Sequence, residues 1–364
     1  MNVVIAGGGT AGHVFPAIAL AERLVEEHGA AVRFIGAAGG IESQLVSAAG
    51  FEFRGVAASP MPRKVSAAAL TAAVTAVKSV RACHPIVSVS DIVVGMGGYA
   101  SVPAVLAARW TKRPVVLHEN DAVPGLANRL LSPRARVVAL GFAGAASRLP
   151  RGVRWIVTGN PVRPRILEVV ARRDELAKEA REEFVLEPDL PTVVVFGGSQ
   201  GALALDRTVA GAIPLMAGRS DIQFLVLTGR GHGREMSVTG QESPVVRALE
   251  FLDRMELVYA VADVAVARAG AGSIAEISVC GVPSLLVPYP QATGNHQEAN
   301  ARELERAGGA EVLLNADLTP EALVARLTAL LADGPRRERM GDAARAWSKP
   351  EAASRLARLV VEAA

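Results

Sequence analysis

Gly197-Gly198-Ser199-Gln200-Gly201-Ala202 stands directly after the apolar run Val193-Val194-Val195-Phe196, and the chain opens on a similar construction. There Asn2-Val3-Val4-Ile5-Ala6 runs into Gly7-Gly8-Gly9-Thr10-Ala11-Gly12-His13, followed by the helix-like Ala17-Ile18-Ala19-Leu20-Ala21. Each reads as a short buried strand, a glycine turn and a helix start. Such a turn aims backbone N–H groups and the positive end of a helix dipole at open space, a setting that suits phosphate. Two of them about 190 residues apart predict an α/β protein of two doubly wound, Rossmann-like parallel-sheet domains facing each other across a cleft.

Length agrees: 364 residues exceed one comfortable core, so two domains are expected. Aromatic residues make up only 4% of the chain, too few for a platform on which single-stranded nucleic acid stacks. The net charge is +3 and no block of five basic residues occurs, so no nucleic-acid partner is expected. Cys83 and Cys280 lie far apart in apolar segments, which predicts two buried thiols in a reducing compartment. Met1-Asn2-Val3-Val4 enters a strand at once, leaving no room for a signal peptide. No run reaches the roughly 18 apolar residues of a membrane span, so a cytoplasmic protein is expected.

Runs rich in Val and Ile alternate with amphipathic Ala- and Leu-rich stretches, the pattern of parallel βαβ units. Strands are predicted near 2–6, 31–35, 51–56, 92–95, 114–118, 136–139 and 154–158, then near 192–196, 222–228, 248–251, 263–267, 283–287 and 311–314. Helices are predicted at 14–28, 41–49, 66–82 and 100–111. The charged run Arg172-Arg173-Asp174-Glu175 marks a linker near 163–185. The expected division is a domain over 1–163, a second over 164–340, and a C-terminal helical segment 341–364 that could pack back on the first.

Gly7-x-Gly9-x-x-Gly12 formally matches a dinucleotide fingerprint. A nicotinamide site also needs an acidic residue closing the second strand to hold the ribose, and here that strand ends Phe34-Ile35-Gly36-Ala37-Ala38. No such cofactor is expected. A third glycine cluster, Gly95-Met96-Gly97-Gly98-Tyr99, also ends a strand, and three of them in one chain point to anion cradling rather than chance turns. His118-Glu119-Asn120-Asp121 follows Val115-Val116-Leu117; so polar a cluster after a buried strand must face a cleft or be fully hydrogen-bonded, with Asp121 capping the next helix in the second case. Arg268-Ala269-Gly270-Ala271-Gly272-Ser273-Ile274-Ala275-Glu276 also follows a strand. Ser273 with Glu276 fits a capping box; the alternative is a helix N-terminus holding a diphosphate, with Glu276 one turn in on a ribose diol. Gln297 and Asn300 sit one helical turn apart, and such amides, donor and acceptor at once, suit sugar hydroxyls.

Taken in order, Gly8–Pro16, Gly95–Tyr99, His118-Glu119, Gly159–Arg163, Gly197–Ala202 and Gly270–Glu276 closely resemble the MurG family, peripheral N-acetylglucosaminyltransferases of bacterial cell-wall synthesis. The resemblance spans nearly the whole chain. It implies the two-domain GT-B fold and metal-independent, inverting transfer of N-acetylglucosamine from UDP-N-acetylglucosamine to the 4-hydroxyl of the muramoyl sugar of lipid I, giving lipid II. Without a metal, loops and helix dipoles must offset the charge of the leaving diphosphate. By the same resemblance Ser199 and Gln200 approach the sugar and diphosphate, Leu252 flanks the uracil, and Ala271, Gly272, Ser273, Ile274 and Ala275 present a helix terminus to the diphosphate. Glu276 would hold the ribose and Gln297 the transferred sugar. From the first half, Thr10, Ala11, Gly12, Asp121 and Arg163 would complete the UDP-N-acetylglucosamine site, and Gly97, Gly98, Tyr99 and Asn128 the acceptor site. The family commonly reads His-Glu-x-Asn, whereas position 121 here is Asp, which cannot donate as an amide does; Asn120 or Asn128 would have to supply that group.

His13 is the first candidate for the base that takes the acceptor proton, because imidazole titrates near working pH; Glu119 is the second. A lipid acceptor requires contact with the membrane surface on its cytoplasmic face. Pro62-Arg63-Lys64, then Leu70, Val74, Val77, Lys78 and Arg81 on helix 66–82, with Trp110-Thr111-Lys112-Arg113, suit anionic phospholipid. Two rivals remain: a UDP-N-acetylglucosamine 2-epimerase, which needs no lipid, and a nucleotide-sugar binder without catalysis.

Overall fold

The computed structural model describes residues 1–57, 67–198, 201–229 and 244–364, with only the helical backbone for 67–74. The described chain divides into two units, Met1–Arg163 with Lys349–Ala364, and Pro164–Ser348.

The first unit alternates strand and helix: β1 Asn2–Ala6, α1 Ala11–His28, β2 Ala31–Ala37, α2 Ile41–Ala48, β3 Glu52–Val56, α3 Ala67–Ser88, β4 Ile92–Gly95, α4 Val102–Trp110, β5 Val115–Glu119, α5 Leu126–Leu131, β6 Val137–Leu140 and β7 Trp155–Val157. Its seven strands are parallel in the order β3-β2-β1-β4-β5-β6-β7. Period-two alternation splits β1 between two cores: Val3 and Ile5 pack with Leu20 and Leu24 of α1, while Val4 and Ala6 pack with Ala104 and Ala107 of α4. Helices therefore cover both faces of the central strands, while the edge strands β3 and β7 keep exposed residues. The order reverses between β1 and β4, and the loops after those two strands meet at their carboxyl ends, the place where ligands bind in open parallel sheets.

The second unit runs α6 Pro164–Glu183, β8 Thr192–Phe196, α7 Leu203–Leu215, β9 Gln223–Leu227, β10 Val245–Leu249, α8 Met255–Val261, β11 Val264–Ala267, α9 Ala271–Cys280, β12 Ser284–Leu286, α10 His296–Arg306, β13 Ala310–Val312, α11 Pro320–Ala332 and α12 Gly334–Trp347. Six parallel strands lie in the order β10-β9-β8-β11-β12-β13, with the reversal between β8 and β11. The last helix, α13 Ala352–Ala363, belongs to the first unit, where Leu356 and Val360 join the core that holds Leu20 and Leu24 of α1. Gly159 makes that packing possible: a Cβ there would strike Lys349 and Ala352. The segment 341–364 is thus divided, α12 lying in the second unit and α13 in the first.

The expected linker near 163–185 is instead helix α6, bent at Arg172 (φ −125°). The charges hid an amphipathic stripe, for Ile166, Val169, Leu176, Ala177 and Ala180 are buried. Arg173, within the charged run, donates to the carbonyls of Ala260 (3.3 Å), Ala262 (2.8 Å) and Cys280 (3.2 Å), the carboxyl ends of α8 and α9. Its cation sits against the negative ends of both helix dipoles. Cys83 and Cys280 are free, buried thiols, as expected.

Candidate active site

In the first unit the loops after β1, β4 and β5 converge at the reversal point. Thr10 is the N-cap of α1 but its side chain makes no capping bond; its Oγ1 lies 3.2 Å from Nδ1 of His13 instead. Gly97 lies beneath that ring: a Cβ on it would stand 3.2 Å from both Cδ2 and Nε2 of His13 and 3.6 Å from Nδ2 of Asn128. Its φ of +88° also strains any residue but glycine on backbone grounds. Tyr99 lies over Gly9, with its ring edge 3.4 Å from where a Cβ would sit. Asn120 ties the β5 loop to α1 by donating to the Gly12 carbonyl at 3.2 Å.

Glu119 lies under this surface, 4% exposed. One carboxylate oxygen accepts the Asp121 N–H (3.1 Å), the other the Gly125 N–H (3.0 Å) and the Asn128 amide (2.9 Å). Burial, reinforced by the negative charge of Asp121, pushes Glu119 up to about 7 against those three bonds. Burial has the opposite sign for its neighbour, holding the His118 imidazole down at about 4. His118 therefore stays neutral at physiological pH, with Nε2 3.2 Å from the Gly159 carbonyl. The helix after this cluster is not capped by Asp121. Its N-cap is Gly125, whose N–H goes to Glu119.

Asn128 gives its amide hydrogens to the His118 carbonyl (2.9 Å) and to Glu119 (2.9 Å), leaving Oδ1 as its acceptor. That oxygen is buried and has no hydrogen-bond partner among the described residues, and the same holds for Oδ1 of Asn160. Asn160 donates to the Asn120 carbonyl at 2.9 Å and occupies the space that a Cβ on Gly141 would take. Arg163 places its guanidinium 4.6 Å over the Phe15 ring, a cation–π contact with the start of α1.

In the second unit the loops after β8 and β11 flank the other reversal point. Gly198 (φ +85°) and Gly201 (φ +72°) form the turn after β8; Ser199 and Gln200 lie outside the described residues. The capping box that the spacing of Ser273 and Glu276 allowed does not form. The N-cap of α9 is Gly270, with no side-chain cap, so the first-turn N–H groups of Ala271, Gly272 and Ser273 have no such partner. Ile274 is fully buried and can offer a ligand only its backbone, while Ala275 and Glu276 are half-buried. Glu276 is held by the Tyr259 hydroxyl (2.8 Å), and Tyr259 stands edge-on to Phe196 of β8. Gln297 is half-buried and accepts the Tyr289 N–H through Oε1 (2.9 Å). Asn300 does not share that position: it is fully buried and donates to the Ala269 carbonyl at 3.3 Å. Leu252 is half-buried beside the exposed Phe251.

Two positioning groups here carried no role in the sequence reading. Arg268 is 5% exposed and fixes the β12 exit through the Val287 and Pro288 carbonyls (3.1 Å each) and Asn315 (3.0 Å). Tyr259 lies in an apolar helix with nothing in its local spacing to mark it. Arg268 had a signal, a lone cation between a buried strand and a glycine turn.

The chain matches the glycosyltransferase family 28 N-terminal domain over residues 3–140 and the C-terminal domain of that family over 192–356. A curated relative from Halothermothrix orenii, named UDP-N-acetylglucosamine–N-acetylmuramyl-(pentapeptide) pyrophosphoryl-undecaprenol N-acetylglucosamine transferase, is 37% identical over 384 aligned residues, covering 100% of this chain and 99% of its own. The chain belongs to the MurG family. It is a glycosyltransferase, and its two parallel sheets are those of the GT-B fold. The crystal structure of Acinetobacter baumannii MurG superposes with a TM-score of 0.76 at 26% identity, covering 99% of each chain. The Neisseria meningitidis UDP-GlcNAc 2-epimerase bound to UDP-GlcNAc superposes at 0.69 over 100% of both chains but at 14% identity, which shows a shared fold alone.

Proposed function

We propose that this MurG-family chain transfers N-acetylglucosamine from UDP-N-acetylglucosamine to the 4-hydroxyl of the muramoyl sugar of lipid I, with inversion and without a metal. The observation that carries this reading is the 37% identity, end to end, with a transferase named for that reaction.

In this reading UDP-N-acetylglucosamine lies on the second unit. The uncapped first turn of α9 (Ala271, Gly272, Ser273, with the backbone of Ile274 and Ala275) receives the diphosphate, whose charge grows as the bond to the sugar breaks. Glu276, aimed by Tyr259, takes the ribose diol; Leu252 flanks the uracil; Gln297 offers its NH₂ to the sugar. Ser199 and Gln200 complete that seat. Within the first unit, Thr10, Ala11, Gly12, Asp121 and Arg163 are the candidates for contact with the sugar nucleotide, and Gly97, Gly98 and Tyr99, with the buried Asn128 beneath them, those for the acceptor.

His13 acts as base, its ring oriented by the contact of Nδ1 with Thr10, so the acceptor oxygen attacks as its proton leaves. Glu119 is better suited to organising than to proton transfer, since three N–H donors already occupy its carboxylate. The exposed Val77, Lys78 and Arg81 of α3 and the exposed Trp110, edge-on to His84 at 5.0 Å, supply an apolar and basic surface for anionic phospholipid on the cytoplasmic face of the membrane. Pro62, Arg63, Lys64 and the side chains of Leu70 and Val74 lie outside the described residues. No helix among the described residues is long and apolar enough to cross a membrane.

The test is transfer of radiolabel from UDP-N-acetylglucosamine to a lipid I analogue with EDTA present. Labelled disaccharide-lipid is expected. Tight binding of the sugar nucleotide with no product would defeat the reading, and product abolished by EDTA would defeat its metal independence.

A further inference from the structure

Glu42, in the first turn of α2, is 1% exposed, yet it belongs to none of the groups given a role above. Its carboxylate accepts the Ala37 N–H through Oε1 at 2.9 Å and the Gly9 N–H through Oε2 at 3.3 Å. One buried carboxylate thus joins the end of β2 to the glycine loop after β1. Three glycines make room for it: a Cβ on Gly8 or Gly40 would overlap the carboxylate, and one on Gly36 would stand 2.8 Å from its Cγ. Burying an anion costs more than burying an apolar side chain of similar size, and this one is met by two N–H groups. A loop held only for bulk would need neither the charge nor the three glycines.

We propose that Glu42 is a positioning residue of the transfer reaction: its carboxylate fills the backbone hollow of the first glycine loop as an internal anion and so fixes Thr10 and His13. Gly9, whose N–H it holds, directly precedes Thr10, and Thr10 Oγ1 orients His13. The same occupancy alters what the loop can bind. A free glycine turn before a helix would offer the Gly9 N–H to a phosphate; here that N–H already faces a carboxylate, which repels a second anion. The first glycine loop then serves to aim the base, not to cradle phosphate at Gly9.

This inference rests on the transferase reading, and steady-state kinetics with UDP-N-acetylglucosamine and a lipid I analogue tests it. Glu42→Gln keeps the shape but sets an NH₂ against one of the two N–H donors. It is expected to lose at least tenfold in kcat, with KM for UDP-N-acetylglucosamine within threefold of the parent, because a misplaced base slows chemistry without emptying the sugar-nucleotide seat. Gly40 has an ordinary backbone conformation (φ −75°), so Gly40→Ala acts only by pushing the carboxylate aside. Its kcat is expected to fall alone, and to fall no further when added to Glu42→Ala. A Gln variant with parental kcat, or losses that multiply in the double variant, overturns the proposal. Should Glu42→Gln fail to fold, Gly40→Ala decides: kcat within twofold of the parent overturns it. Absence of product from the parent chain defeats the transferase reading instead, and so separates the two failures.

Discussion

Adjacent residues His118 and Glu119 are buried by the same strand end, and burial moves them in opposite senses, which makes the pH dependence of the first unit a specific prediction. Glu119 rises from 4.5 to about 7, so the folded chain holds a proton there that the unfolded chain has released. Between pH 4.5 and 7 its contribution to stability therefore falls as pH rises, by about 3 kcal/mol in all at 1.36 kcal/mol per pH unit. His118 drops from 6.5 to about 4, so the unfolded chain binds the extra proton and stability rises with pH between 4 and 6.5 by a similar amount, about 3 kcal/mol. In the parent the two slopes nearly cancel. Glu119→Gln removes one of them. It carries a fixed penalty from its NH₂ meeting an N–H donor, but its stability relative to the parent should climb by about 3 kcal/mol from pH 4.5 to 7. The assay is urea unfolding read by Trp110 and Trp155 of the first unit, in a Trp347→Phe background that silences the second. A difference between variant and parent that stays within about 0.5 kcal/mol across that range would refute the assignment of a raised Glu119.

Gly97→Ala adds a Cβ 3.2 Å from the His13 ring at a backbone φ of +88°; it should cut kcat at least tenfold while circular dichroism stays native, and parental kcat would contradict the placement of His13. Tyr259→Phe deletes the donor that aims Glu276, so KM for UDP-N-acetylglucosamine should rise several-fold with kcat little changed, and a stability loss near 1 kcal/mol is expected by urea titration. Arg173→Met leaves three carbonyls at the ends of α8 and α9 without their cation; the second unit should lose about 3 kcal/mol in urea unfolding, with activity at low temperature retained.

The strand and helix order was legible because both sheets are parallel and their central strands β1, β4, β5, β6, β8, β9 and β11 are buried, so most of these are Val-rich runs, several of them ending in glycine turns. Where it failed, polar residues masked packing: β10 lies at 245–249, three residues before the expected start, on an edge where Arg247 is half-exposed. Helix α6 was missed because Arg172 and Arg173 read as solvated linker, although Arg173 turns inward to helix ends that are distant in sequence. In the site, backbone features were readable and side-chain partnerships were not. A glycine turn announces itself, but nothing in Gly39-Gly40-Ile41-Glu42 says that the carboxylate returns to Gly9, 33 residues earlier. The Ser273–Glu276 pairing illustrates the reverse case. The spacing of a capping box was present, yet Gly270 caps the helix and Glu276 turns to Tyr259.

The most direct test of the transferase account is proton NMR of a single reaction holding UDP-N-acetylglucosamine, a lipid I analogue and the purified chain. The account predicts a new anomeric signal of a β-linked disaccharide growing as the α-linked sugar nucleotide disappears and UDP accumulates. An α-linked product, or conversion of the sugar nucleotide to its 2-epimer with the lipid analogue untouched, would contradict it.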